Sequence, residues 1–241
     1  MKLKYFLLLF VTTSLLLACP KNPPTHGVLV FSKTEGYRHE SIEIGQNLIR
    51  YLGDQNDFWV ETSEDASLFH SENLKRYRAI IFLNTTLDIL NETQEAAFKE
   101  YINNGGGFVG IHAATDTEYN WPWYGALVGA YFDSHPDGLQ NTNLRVLDTA
   151  HVSTRNLPQP LPLKDEIYNF KSLPAQVNIV ATIDESTYEG GKHGDFHPIS
   201  WYREFDGGRM FYTALGHSSE LYKEEWFGNH LLGGIEYVLG R

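Results

Sequence analysis

Residues 104–135, NGGGFVGIHAATDTEYNWPWYGALVGAYFDSH, decide how the rest of the chain is read. The three glycines Gly105 to Gly107 suit a helix exit and a tight turn. Phe108 to Ile111 is an apolar run short enough to be one fully buried strand. It ends at His112, after which polar residues take over. In an open α/β sheet, ligands sit outside the carboxyl ends of the strands. A strand delivering His112, Thr115, Asp116 and Glu118 to that edge is the floor of a polar pocket, and Trp121, Trp123 and Tyr124 add flat aromatic surface. The plain alternative is a strand end whose histidine only bonds its neighbours; the density of polar groups favours a site.

The flanking sequence supports such a sheet. Upstream, Val28 to Phe31 is a buried strand followed by a polar loop with Arg38 and His39. Ser41 is positioned to cap a helix in which Ile42, Gly45, Leu48, Ile49 and Leu52 recur at helical spacing. Phe58 to Thr62 and Ala79 to Leu83 are further strands. Asn91 and Gln94 form a capping-box pair for the helix that runs into the glycines. Apolar strands alternating with helices indicate a doubly wound parallel sheet. Downstream the pattern is weaker. Asn143 to Asp148 alternates, Arg155 to Lys164 reads as a proline-rich loop, and Asp165 to Phe170 fits neither helix nor strand. Val177 to Thr182 is a strand. Ile199 to Phe205 and Arg209 to Leu215 flank Asp206-Gly207-Gly208, a hairpin signal. Trp226 to Leu239 is an amphipathic helix.

The ends and bulk properties bound the function. Lys2 and Lys4 precede an apolar run from Tyr5 to Leu17 that closes on Leu16-Leu17-Ala18-Cys19. This is the pattern of a secretory signal over residues 1–18, and its last four residues resemble a bacterial lipobox. The expectation is a lipidated Cys19, a Pro-stiffened tether over residues 19–27, one domain over residues 28–240, and attachment to a membrane at the cell envelope. Cys19 is the only cysteine, which excludes disulfides, cysteine–zinc sites and a thiol nucleophile from the domain. A net charge of −11 argues against nucleic acid as partner. G-x-S-x-G and the P-loop are absent.

Histidines mark the polar clusters. His39 follows the first strand, His112 the fourth and His217 the hairpin; His135 and His197 each precede a proline. A zinc or other divalent ion would have to draw on distant loops, such as those of His39, His112, Glu118, His135 and His217, because no H-E-x-x-H motif occurs. Tryptophan and tyrosine faces beside carboxylates, amides and imidazoles suit a neutral polyhydroxylated ligand, since aromatic rings cover the C–H face of a sugar while polar groups bond its hydroxyls.

GGGFVGIHAATDTEYNWPWYGALVGAYFDSHP, together with KTEGYRHESI and HPISWYREFDGGRMFYTALGHSSE, resembles the ThuA-like family, named from trehalose utilisation, from about Val28 to Gly240. The resemblance implies a flavodoxin-like, class I glutamine-amidotransferase-like α/β fold, with the hairpin as a C-terminal addition. Amidotransferases carry a nucleophilic cysteine at the elbow that Gly110-Ile111-His112-Ala113 occupies here, so glutamine hydrolysis by that route is excluded. The family resemblance implies carbohydrate metabolism: an envelope enzyme acting on a sugar or keto-sugar, or a non-catalytic carbohydrate-binding lipoprotein. For the enzyme, His112, His217 and Asp116 are the candidate acid/base or ligand groups. Arg38, His39, Thr115, Glu118, Trp121, His135 and His197 are the candidate substrate contacts. The sequence demands no cofactor; a divalent metal such as zinc and association into a homo-oligomer are both left open.

Overall fold

Nine strands form one sheet in the order β2-β1-β3-β4-β11-β10-β9-β6-β7. The computed structural model describes residues 25–241; the residues read as a signal and lipobox, Cys19 among them, lie outside the described residues. In chain order the strands and helices are β1 (His26–Phe31), α1 (Ile42–Asn56), β2 (Phe58–Ser63), α2 (Ser71–Leu74), β3 (Ala79–Leu83), α3 (Glu92–Asn103), β4 (Gly107–Ile111), α4 (Pro122–Val128), β5 (Phe132–Ser134), β6 (Gln140–Val146), β7 (Leu161–Asp165), β8 (Asn169–Phe170), β9 (Asn178–Ile183), β10 (His197–Phe205), β11 (Gly208–Thr213) and α5 (Glu225–Leu239). No described helix is long and apolar enough to cross a membrane.

Five neighbouring strands, β2, β1, β3, β4 and β11, run parallel, in the flavodoxin-like order with the chain reversing direction across the sheet at β1 and β3. The α/β reading therefore holds. Every residue of β3 and β4 is buried, as expected of strands covered on both faces. Alternation along β4 assigns the covers: Phe108 meets Phe98 of α3 and Tyr124 of α4, whereas Gly107 lies against Val238 of α5. The approach of α5 is close enough that a Cβ on Gly234 would sit 2.2 Å from Cδ1 of Phe211.

The expected hairpin turns at Asp206 and Gly207, both with positive φ (50° and 94°), as a type I′ turn requires. It is built into the sheet: β11 lies parallel to β4, and β10 continues antiparallel to β9, which leads to β6 and β7. Two local expectations are corrected. Residues 161–164, read as part of a proline-rich loop, form β7 together with the unassigned Asp165; it is an edge strand, where Pro162 is tolerated. Ser41 precedes α1 as expected, but its hydroxyl does not cap the helix and instead donates to the Gly216 carbonyl at 2.9 Å. Asn91 and Gln94 do form the reciprocal capping box of α3.

Candidate functional site

The parallel strands bring three polar loops to one edge, since β1, β4 and β11 all end there. His39 lies in the loop after β1, His112 directly follows β4, and His217 lies in the loop after β11. The three imidazoles meet edge-to-face, with centroids 4.9 to 5.3 Å apart. Glu166, the residue after β7, completes the group. Its Oε2 lies 3.1 Å from Nδ1 of His217 and 3.4 Å from Nε2 of His112, and its Oε1 lies 3.3 Å from Nδ1 of His135. His39, His112, Glu166 and His217 each offer one ligand-type atom, and these atoms all lie within 4.8 Å of one another.

Each member is held by its own surroundings. His112 takes φ +49°, a left-handed conformation that a non-glycine residue adopts only when its neighbours enforce it. The enforcement is visible: Tyr212 donates its hydroxyl to the His112 carbonyl at 2.8 Å, and Nδ1 lies 2.7 Å from the Ala214 carbonyl. A carbonyl only accepts, so Nδ1 carries a proton, and Nε2 is the nitrogen turned toward Glu166. Beside Glu166, the buried Asp165 carboxylate accepts the N–H groups of Gly216 and Ser218 at 2.7 and 2.8 Å, docking the loop that carries His217. Ser41, Asn84 and Tyr222 bond the same loop or one another around the Gly216 carbonyl.

Burial and neighbouring charge set the protonation of the group. Burial, and then the nearby His112 and His217, depress His39 to about 2, so its ring is neutral. Burial alone would raise Glu166, but His112 and His217 outweigh it and hold the carboxyl well below the ordinary range. For His217 burial pulls downward, while Glu166 and Asp165 together raise it above the usual histidine value. The cluster opens into a cavity of about 440 Å³ lined by Tyr37, Asp116, Phe132, His135 and Tyr168 as well as by His39, Glu166 and His217. Burial raises Asp116 at this wall, against the Tyr119 hydroxyl that donates to it at 2.6 Å.

Of the candidate residues, His39, Asp116, His135 and His217 line this cavity, and His112 lies buried behind them beside Glu166. The others serve elsewhere. Glu118 is buried and accepts the backbone N–H groups of Ile89 and Leu90. Thr115 bonds the Tyr212 hydroxyl, and Trp121 packs against Trp123 and Tyr124. Arg38 is exposed and paired with Glu64. His197 is buried with Nδ1 at Glu185 and Nε2 at the Tyr168 carbonyl; it steadies Tyr168, whose ring lies 4.1 Å from that of His112. Glu166 escaped sequence reasoning because its acidic, aromatic stretch has no periodicity, although Asp165-Glu166 was the one carboxylate pair in an otherwise unassigned segment.

Known structures resemble the whole chain. A ThuA-like protein from Bacteroides uniformis superposes with a TM-score of 0.77 at 26% identity, over 91% of this chain and 95% of its own. One from Parabacteroides merdae gives 0.70 at 20% identity, over 90% of each, a likeness of fold alone. Among curated proteins none matches the sequence. The sequence model of the ThuA family, described as trehalose utilisation, matches residues 27–238. Fold, extent and family model agree: the chain belongs to the ThuA family, whose theme is the use of carbohydrate.

Proposed function

We propose that this chain is a cell-envelope enzyme acting on a sugar or keto-sugar, a disaccharide or glucoside, by proton transfer in the cavity at the carboxyl ends of β1, β4 and β11. The observation that carries the reading is the convergence of three histidines and Glu166 at the end of a cavity walled by Phe132 and Tyr168. Aromatic walls suit the C–H face of a sugar ring. In a 3-keto-sugar, the hydrogens on the carbons beside the carbonyl are acidic. A base on one wall removes one of them while the electron pair moves onto the carbonyl oxygen, which must be received by a polar, charge-stabilising end. His135, half exposed, and Asp116, whose carboxyl is raised by burial, stand on the wall. At the other end His217, which Glu166 and Asp165 raise above the usual histidine value, is the donor placed to receive the oxygen. Collapse of the enolate with expulsion of the glycosidic oxygen, which takes the proton from the protonated base and leaves as an alcohol, would cleave a keto-disaccharide; return of the proton to the other face of the carbon would epimerise it.

Incubating the protein with 3-keto-glucosides in deuterated water, followed by NMR, tests the reading. Exchange of the hydrogen next to the carbonyl, with cleavage or epimerisation, is expected, and His112→Asn should abolish it. Binding of keto-sugars with neither exchange nor product would instead establish the non-catalytic carbohydrate-binding lipoprotein.

A further inference from the structure

We propose that His39, His112, Glu166 and His217 are the ligands of one divalent transition-metal ion with a free coordination position facing the cavity. Geometry carries this. Nδ1 of His39, Nε2 of His112 and Nδ1 of His217 are all buried, and none has a hydrogen-bond partner. Buried polar atoms are nearly always partnered, and one orphan alone costs about 1–3 kcal/mol. Three converging on one carboxylate share a single remedy. Two of these nitrogens lie within 3.4 Å of Glu166 yet make no hydrogen bond to it. Buried ring nitrogens that come near a carboxylate without bonding to it are placed to meet a third body.

The surroundings match a metal centre. The Nδ1–H of His112 is committed to the Ala214 carbonyl, the outer contact that fixes a ligating tautomer. Asp165 fixes the backbone of the His217 loop through Gly216 and Ser218, the same service rendered to another ligand. Three imidazoles and one carboxylate select a transition ion such as Zn²⁺, Mn²⁺, Co²⁺ or Ni²⁺ over Mg²⁺ or Ca²⁺, which prefer oxygen. His39, Glu166 and His217 also line the cavity, so a substrate oxygen can approach the ion directly, as in catalytic rather than structural sites. The site stands without the sugar reading; if that reading holds, the ion supplies the positive partner of the carbonyl oxygen.

Metal binding measured without any sugar separates the two. The full-length chain is stripped with chelator, equilibrated with Zn²⁺, Mn²⁺, Co²⁺ or Ni²⁺ alone, dialysed and assayed for bound metal, with Co²⁺ also followed by its visible absorption. One equivalent per chain is expected for at least one ion. Glu166→Gln and His217→Ala, with circular dichroism spectra like the wild type, should each weaken it at least tenfold and change the Co²⁺ spectrum. Retention below a tenth of an equivalent for every ion overturns the assignment. So does unchanged stoichiometry and spectrum in a folded Glu166→Gln, His217→Ala double variant, because the metal then sits elsewhere.

Discussion

At the scale of single residues, this protein separates polar side chains that serve the fold from those that serve the cavity. Glu118 belongs to the first kind: burial pushes its carboxyl up to about 7, although the N–H groups of Ile89 and Leu90 favour the ionised form. A carboxyl raised from 4.5 binds its proton more tightly folded than unfolded. Its contribution is therefore fullest below about pH 4.5 and falls as the pH rises to about 7, by on the order of 3 kcal/mol or less. Glu118→Gln keeps an oxygen for both N–H groups and removes the charge. Its urea stability relative to wild type should rise between pH 5 and pH 8, whereas Glu118→Ala should lose about 1–3 kcal/mol at pH 5 by orphaning two donors. A wild-type-to-Gln difference that is flat with pH would refute this. The same division explains what could be read in advance. His39, His112 and His217 were legible because each follows a strand, and parallel strands end together. Glu118, Trp121 and His197 have the same residue chemistry nearby in sequence but turn to the backbone or the core, and only packing reveals which way a side chain turns.

At the scale of elements, the parallel half was legible because each strand is a short apolar run and each helix carries its period or cap, as at Asn91 and Gln94. The antiparallel half was not: β7 contains Pro162, β8 is two residues long, and Glu166 lies between them. Their placement depends on tertiary bonds, such as Asp165 to the Gly216 loop, that leave no local pattern. Helix α5 offers a test of close approach. Gly234→Ala should gain up to about 1 kcal/mol of helix propensity but force a methyl into the buried Phe211 ring, an overpacking that costs about 1–3 kcal/mol. A net loss is expected. In the same helix, Gly228→Ala would meet nothing nearer than Leu48 Cδ1 at 3.7 Å and should be neutral or stabilising. Denaturation midpoints of the two variants decide it; equal midpoints would show that α5 shifts to accommodate the methyl.

At the scale of the whole molecule, β1 begins at His26, on the sheet edge opposite the cavity, because His39 follows the far end of that strand. We propose that Cys19 carries lipid, as its lipobox-like context indicates; the tether would then enter the domain from below and leave the cavity facing away from the bilayer. Labelled palmitate should enter the wild type and be lost in Cys19→Ala, and an unlabelled wild type in the soluble cytosolic fraction would defeat the idea.

The four candidate ligands stand at positions 39, 112, 166 and 217, in an order that runs almost from one end of the domain to the other. A growing chain therefore lacks at least one of them until residue 217 has been added. Fragments left by early termination or a protease cut would lack a ligand or the strand that aims one. Such pieces have neither the full grip on an ion nor a finished cavity, so the chemistry belongs to the intact polypeptide alone.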